Sequence, residues 1–344
     1  MNLGLTDEQA AIHDAFAAFF EKECPLDLVR KNESLGHSSD LWTRFVATGA
    51  PSMSVSSNAG GGGAGLLAAA LVAEQAGRRL APVPFVEHLV ATRLLERAGG
   101  DGDLIRSAVE ADHVVSLALR PSGSTARLVP AGAVARIVIG LDRQSGDLLA
   151  VEAEPPWRAE PNLASAPLAH RDMSGITGHR FVIATGPEAS ALAATALDEW
   201  RLLTAAALVG LAGAALDIGV DYVSTRHQFG VPIGTFQSIQ HGLAEVSGPL
   251  SGARLLAAKA AWVGDQGLAD LSRLAPMALL FASELASTVT RRALHYHGGY
   301  GVMEEYSIQM YYRRAKGWTL VLDDPARETQ RLADVVLGPR TEGC

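Results

Sequence analysis

The chain has 344 residues, long enough to bury a sizeable core in two or three compact units, and 48% of it is hydrophobic, which excludes a disordered protein. Its net charge of −8 is unfavourable for general nucleic-acid binding, which needs a basic face, so we expect no nucleic-acid partner. The two cysteines, Cys24 and Cys344, lie near opposite ends and indicate neither a disulfide framework nor a metal site.

The sequence shows no targeting or membrane segment. The opening MNLGLTDEQAAIHDAF is acidic and amphipathic and lacks the basic and apolar regions of a signal peptide. The nearest approach to a membrane span is Leu202–Val220, which is rich in Ala and Gly and contains Asp217. We therefore expect a cytoplasmic protein with no membrane partner.

Residues 1–110 are predicted to be helical. Thr6 is a candidate N-cap with Gln9 as its capping-box partner, and further helices are expected over Leu66–Arg79 and about Phe85–Ala98. The glycine run Gly60–Gly63 has no strand before it and no GK[ST] after it, so we interpret it as a flexible helix entry and not as a nucleotide loop.

Residues 111–185 contain short β-prone runs separated by Gly, Pro, Ser and Asp. These runs are His113–Leu119, Ala126–Val129, Ala135–Leu141, Leu148–Glu152 and His179–Ala184. They predict a small antiparallel β domain, a sandwich or a barrel. Trp157 and His170 have no catalytic spacing around them, and we expect core or edge roles for both.

Residues 186–344 are predicted to form a helical bundle. A heptad-like repeat of apolar residues with a small-residue seam that includes Gly213 indicates a long, closely packed helix around 202–223. Helices follow over about Thr235–Gly264, Leu268–His297, Glu304–Lys316 and Pro325–Leu337. The predicted fold class is α+β, mainly α: an N-terminal helical domain (1–110), a central β domain (111–185) and a C-terminal four-helix-bundle-like domain (186–344).

Two segments of the bundle stand out, RHQFGVPIGTFQSIQH from Arg226 and HYHGGYGVMEEYSIQMYYRRAK from His295. Arg226 puts a fixed cation in a turn between two helices, a suitable place to hold an anion. Together with Leu5–Asp7 and EQAGRRLAPVP at Glu74–Pro84, these segments resemble the acyl-CoA dehydrogenase family. The resemblance covers nearly the whole chain in order.

The resemblance implies a homotetramer or related oligomer that binds FAD and removes two hydrogens from the α and β carbons of an acyl-CoA thioester. It also implies that Arg226 meets the FAD pyrophosphate of the neighbouring subunit, and that Gln237 lies near the adenosine. The residues that match the family's FAD contacts are Arg226, Gln228, Phe229, Gln237, His295, Gly298 and Gly299. The alternative for Arg226 is a surface salt bridge at a helix end, and His297 is expected to be structural.

The chain departs from the family at the flavin cradle. The family's β domain carries a TEPxxGS-like run whose hydroxyls and backbone contact the flavin ring. The nearest segment here, Ala118–Leu128, has Arg120, Pro121 and Ser122 in that place. A complete cradle for a flavin ring is therefore not expected in this chain.

The second departure is at the catalytic base. Most relatives carry a Glu after the RRAK-like segment, but counting from either side places Leu322 or Asp324 there. Asp323 and Asp324 are the candidate bases, and a helix cap before Pro325 is the favoured alternative. A few relatives place the base on the long helix before an Arg that matches Arg201, and that position is Trp200 here. Glu199 is one residue away, about 100° around the helix.

What survives is the set that a subunit donates to its neighbour's FAD, and what is lost is the set it uses for its own flavin and substrate. The chain thus resembles the short subunit of heteromeric (α2β2) actinobacterial acyl-CoA dehydrogenases that act on steroid side-chain CoA thioesters, with a longer subunit as its partner. Two alternatives are a self-sufficient homodimer or homotetramer that uses an Asp base, and a non-catalytic scaffold that binds flavin or acyl-CoA.

Overall fold

The computed structural model describes residues 4–338 and has helices at both ends with strands between them. The helices are α1 Asp7–Glu23, α2 Leu26–Lys31, α3 Ser39–Val46, α4 Leu66–Arg78, α5 Phe85–Arg97, α6 Gly102–Glu110, α7 Gly186–Thr225, α8 Gln237–Asp265, α9 Leu271–His297, α10 Ile308–Thr319 and α11 Pro325–Leu337. The strands are β1 Val115–Leu117, β2 Thr125–Val129, β3 Ile137–Leu141, β4 Leu148–Glu152, β5 Ala169–Asp172, β6 His179–Ala184, β7 His227–Gln228 and β8 Val231–Pro232. The predicted fold class is confirmed.

The chain forms two compact units, each assembled from separate stretches of sequence. The bundle unit comprises the residues up to Leu26, Ala70–Ala81 and the residues from Leu202 onward. The sheet unit comprises Asp27–Ala69 and Pro82–Arg201. The three predicted domain ranges follow the order of helices and strands along the chain, whereas the compact units take in residues that are distant in sequence.

The sheet unit contains one four-stranded sheet in the order β1-β3-β4-β6 and a two-stranded β2-β5 ribbon. The prediction of a purely antiparallel domain is wrong at β1, because Val115 pairs with Ile137 of β3 in a parallel register. The chain between β1 and β3 makes this crossover possible, since it carries β2 out to the second sheet before it returns. His170 of β5 accepts the Leu128 amide at 3.2 Å, an edge role as expected. The core or edge role expected for Trp157 is wrong, because this residue is exposed in a loop.

The glycine run is a tightly hydrogen-bonded loop, not the flexible entry that the sequence suggested. The amides of Gly61, Gly62 and Gly63 donate to the carbonyls of Ser56, Ser52 and Val55 at 2.9, 3.2 and 2.8 Å. These amides point into the loop itself, so they are not available to a phosphate group. The geometry therefore also argues against a nucleotide loop. Its reason is the hydrogen-bonded glycine amides, whereas the sequence argument was the missing strand and GK[ST].

In the bundle unit, α4 and α7 approach each other closely because glycines face backbone. A Cβ on Gly210 would lie 1.8 Å from the Glu74 carbonyl oxygen, and one on Gly77 would lie 2.0 Å from that of Ala207. By length and composition α7 is apolar enough to cross a membrane, but 72% of its most apolar window is buried in the protein. It is therefore largely a core helix.

The N-terminal helix begins as predicted. Thr6 accepts the Gln9 amide at 3.3 Å while the Gln9 side chain accepts the Thr6 amide at 2.9 Å, which completes the capping box. Cys24 follows this helix, and burial raises the pKa of its thiol to about 12, so it stays protonated and unreactive. Cys344 lies outside the described residues.

Candidate functional site

The segment after α7 is a two-residue hairpin that displays an aromatic side chain. Strands β7 and β8 pair antiparallel across Phe229 and Gly230, whose φ angles are 55° and 82°. Two consecutive positive φ angles are what a type I′ turn requires, and they are costly at a residue other than glycine. Phe229 is 91% exposed in this strained position, so its side chain contributes little to the core.

Arg226 is held at the base of this hairpin. Its amide donates to the Tyr222 carbonyl and its carbonyl accepts the Ile233 amide, both at 2.8 Å. The exposed guanidinium lies over the Tyr300 ring, 5.6 Å from the ring centroid. Within residues 4–338 no carboxylate pairs with Arg226, so the helix-end salt bridge considered as an alternative is not formed there.

An aromatic cluster fixes the turn that follows α9 beside Arg226. The Tyr222 ring stacks on His297 with centroids 4.0 Å apart, and the Tyr306 ring contacts both His297 and Tyr300. Burial lowers the pKa of His297, and its Nδ1 is hydrogen-bonded to the Ala293 carbonyl at 2.8 Å. His297 is thus a neutral packing residue, in agreement with the structural role predicted for it.

The other candidate contacts lie on exposed positions of the same unit. Gln237 is the first residue of α8, directly after Phe236, whose ring meets Phe229 edge-on at 6.2 Å. His295, Gly298 and Gly299 are exposed at the end of α9, and Gln228 is exposed in β7. Contacts along the hairpin, the aromatic cluster and the α8–α9 pair bring Arg226, Phe229, Gln237 and the glycine turn to one end of the bundle.

The glycine at the end of α9 is required by conformation. Gly298 has φ 60° and ψ −138°, a region that other residues avoid. Within the described residues a Cβ on Gly298 or Gly299 would meet nothing within 4 Å, so close approach inside this chain does not explain either glycine. An open surface at both positions leaves room for a group from outside.

The candidate bases are helix-start residues. The Asp324 carboxylate accepts the Ala326 amide at 2.9 Å and caps α11, which confirms the capping alternative. Asp323 accepts from Arg327 at 3.5 Å and from Arg331 at 3.3 Å, and its side chain is 9% exposed. All of these partners belong to α11 or its entry, so the geometry assigns both carboxylates to holding this helix.

Glu199 is also committed to structure. Its carboxylate is 1% exposed and binds Arg93 through two hydrogen bonds of 3.0 and 2.9 Å and Arg97 through one of 2.6 Å. Burial alone would raise its pKa, but the hydrogen bonds and charges of the two arginines outweigh burial and lower it. Arg93 and Arg97 were not predicted as partners of Glu199, because they lie about a hundred residues away from it in the chain.

The segment that matches the flavin cradle makes hydrogen bonds within the sheet unit. The Ser122 amide donates to the Leu141 carbonyl at 2.9 Å, and the Ser122 carbonyl accepts the Arg143 amide at 2.8 Å. Pro121 offers only a carbonyl, which accepts from the Arg143 side chain at 3.1 Å. The backbone groups of Pro121 and Ser122 are therefore already hydrogen-bonded within the sheet unit.

Two regions of the chain match models of one protein family. The profile of the acyl-CoA dehydrogenase N-terminal domain matches residues 6–102 and that of the C-terminal domain matches residues 190–321. The acyl-CoA dehydrogenase IpdE2 of Mycolicibacterium smegmatis is 30% identical over 334 residues, which are 95% of this chain and 98% of that protein.

Solved structures give the same result for the fold. The Tcur3481-Tcur3483 steroid ACAD superposes with a TM-score of 0.82 at 27% identity and covers 98% of this chain and 99% of its own. One chain of the ChsE4-ChsE5 complex from Mycobacterium tuberculosis superposes with a TM-score of 0.87 at 22% identity, and the match covers 99% of this chain and 100% of that one.

Proposed function

We infer that this chain, which belongs to the acyl-CoA dehydrogenase family, is an oxidoreductase subunit that contributes FAD contacts to a partner. FAD is the cofactor of the family. The proposed reaction is the α,β-dehydrogenation of an acyl-CoA thioester in the cytoplasm, and FAD, when bound, accepts the hydride from the β carbon. The catalytic base and the cradle of the flavin ring come from the partner, a longer subunit of the same family.

One observation carries this proposal: the Arg226 guanidinium is exposed, oriented by Tyr300, and has no carboxylate partner in the described part of the chain. A guanidinium in this state is suited to a bidentate, charge-assisted contact with a pyrophosphate. The exposed Phe229 ring and the open Gly298–Gly299 backbone extend the same surface. We assign Arg226, Gln228 and Phe229 to the pyrophosphate side, and Gln237, His295, Gly298 and Gly299 to the adenosine side.

A lone chain would need its own cradle for the flavin ring and its own catalytic base, and the residues at both places are already used within this chain. Ser122 and Pro121 are hydrogen-bonded within the sheet unit, and Asp323 and Asp324 hold α11. A self-sufficient enzyme with an Asp base is therefore not favoured. The similarity to the Tcur3481-Tcur3483 steroid ACAD supports a steroid CoA thioester as substrate and an assembly with a second subunit, for which we propose a heterotetramer.

The test is the FAD content and acyl-CoA turnover of the chain alone and of its complex with a longer acyl-CoA dehydrogenase subunit from the same genome. We expect FAD and turnover in the complex, and neither in the lone chain. Arg226→Ala should remove FAD from the complex. Arg273→Ala is the matched control, because Arg273 is an exposed arginine of the same unit that pairs with Asp270 at 3.1 Å. Full FAD occupancy and turnover by the lone chain would overturn the proposal.

A further inference from the structure

Arg226 is supported at both its main chain and its side chain by the aromatic cluster of Tyr222, His297, Tyr306 and Tyr300. Its amide donates to the Tyr222 carbonyl at 2.8 Å, and the Tyr222 ring stacks on His297 with centroids 4.0 Å apart. The Tyr306 ring meets His297 edge-on at 6.1 Å and lies 5.4 Å from the Tyr300 ring. The Arg226 guanidinium lies 5.6 Å from the centroid of the Tyr300 ring. The contacts thus form a closed circuit that begins and ends at one arginine.

Local structure fixes the position of Tyr300 within this circuit. The Met303 amide donates to the Tyr300 carbonyl at 3.1 Å, and the Tyr306 amide donates to the Met303 carbonyl at 3.2 Å. These two short turns bring the Tyr300 and Tyr306 rings together. Gly301 lets the segment fold back onto the end of α9, because a Cβ there would lie 2.6 Å from the Leu294 carbonyl oxygen. The backbone therefore places the Tyr300 ring beside Arg226.

The aromatic cluster is anchored in the core at one end and open at the other. His297 is 4% exposed, and its Nδ1 is hydrogen-bonded to the Ala293 carbonyl at 2.8 Å. Tyr300 is 43% exposed, and within residues 4–338 its hydroxyl has no hydrogen-bond partner. The ring is therefore the part of the Tyr300 side chain that makes contacts, with Arg226 and with Tyr306.

The relative strengths of two contacts decide what the Tyr300 ring can do. A cation–π contact at an exposed site is weak, whereas a pair of guanidinium and phosphate is charge-assisted and often bidentate. The ring can therefore bias the rotamers of Arg226, but it does not retain the guanidinium against a phosphate group. Because an arginine loses many rotamers when it binds, a restriction imposed beforehand lowers the entropy cost of binding.

We propose that Tyr300, supported by Tyr306 and His297, is a positioning residue that presets the Arg226 side chain for a phosphate group. The proposal rests on the proposed function, which makes this group the pyrophosphate of FAD. Tyr300 acts through Arg226, and its aromatic ring, not its hydroxyl, carries the effect. Loss of the ring should therefore weaken FAD binding and leave the fold unchanged.

The test is the dissociation constant of FAD, measured by flavin fluorescence on the FAD-free complex of this chain with its longer partner subunit. Tyr300→Leu should weaken FAD binding about three- to tenfold, and Tyr300→Phe, which keeps the ring, should restore the wild-type value. Tyr306→Leu should cause a smaller loss, because it removes only the support. Tyr312→Leu is the matched control, since Tyr312 is a half-buried tyrosine of α10 that makes no aromatic or cation–π contact among the described residues.

A double-mutant cycle separates positioning from a general effect on the fold. In the Arg226→Ala complex, titrated to millimolar FAD, Tyr300→Leu should cause no further loss, because its effect requires the arginine. An equal loss in both backgrounds would overturn the proposal, as would Tyr300→Leu with unchanged or tighter FAD binding, or a loss that Tyr300→Phe does not restore. Should the Arg226→Ala complex bind FAD too weakly to titrate, Tyr300→Leu must weaken FAD binding and leave the melting temperature of the FAD-free complex unchanged, or the proposal fails.

The positioning role and the proposed function can fail separately. Arg226→Ala with wild-type FAD affinity would overturn the proposed function, and the positioning role would fall with it. Loss of FAD affinity in Arg226→Ala but not in Tyr300→Leu would overturn only the positioning role.

Discussion

At the scale of single residues, substitutions of Asp324 can distinguish a structural role of its carboxylate from a catalytic one. Its side chain caps α11, and loss of an N-cap costs about 1 kcal/mol. We expect Asp324→Ala to lower the unfolding free energy by about that amount and Asp324→Ser, which keeps a capping oxygen, to restore most of it. Acyl-CoA turnover of the complex should be unchanged in both variants and in the Asp323→Asn, Asp324→Asn pair. Lost turnover with an unchanged melting temperature would instead identify a base.

The buried Glu199 carboxylate should make the unfolding free energy of the chain depend on pH. Its folded-state pKa is lowered, so its contribution is complete above the unfolded value of about 4.3 and is lost as the pH falls through the lower folded value. Glu199→Gln leaves Arg93 and Arg97 without their carboxylate and should cost about 3–5 kcal/mol at neutral pH. Urea unfolding at neutral pH and near pH 4 measures both effects. Glu188→Gln, at an exposed position of the same helix, is the control, and an equal loss in both variants would contradict this account.

The sequence predicts Arg226, Phe229 and Gln237 as FAD contacts because they stand in a motif of fixed spacing. The structure leaves all three side chains exposed, and their role stays a prediction. The stacking of Tyr222 on His297 and the Tyr300 ring under Arg226 were not predicted, because they join segments about seventy residues apart. The positive φ of Phe229 also has no signal in the residue type, since phenylalanine rarely adopts it.

At the scale of elements, the α4–α7 contact sets a strict limit on residue size. A Cβ on Gly210 would lie 1.8 Å from a backbone oxygen, whereas one on Gly213 would lie 3.3 Å from the flexible end of Arg78. Gly210→Ala should cost about 3 kcal/mol or more, because the helix backbones must separate. Gly213→Ala should change stability by less than about 1 kcal/mol, since alanine favours the helix. Urea unfolding of both variants measures the difference, and similar losses would show that the two helices are not closely packed at Gly210.

Helices α4, α5, α8, α9 and α11 were predicted to within a few residues because apolar spacing or a cap marks them, as the Asp324 cap shows for α11. Helix α7 was not, since it begins at Gly186, well before the apolar repeat that indicated it. The strand β5, Ala169–Asp172, was missed because its buried positions are Ala169 and Arg171, so four residues show no alternation of apolar with polar types. The parallel pairing of β1 with β3 was not predicted either. Pairing partners depend on which strand leaves the sheet, and single strand patterns do not contain that information.

At the scale of the whole molecule, the proposed division of labour between two subunits leads to a thermodynamic prediction. A ligand that binds only the folded complex stabilises it by about 2.7 kcal/mol at a hundred times its dissociation constant. Added FAD should therefore raise the melting temperature of the complex and leave that of the lone chain unchanged, because the lone chain offers only the surface around Arg226. Arg226→Ala should abolish the shift in the complex, whereas Arg273→Ala should preserve it. An equal shift for the lone wild-type chain would mean that this chain holds FAD without a partner.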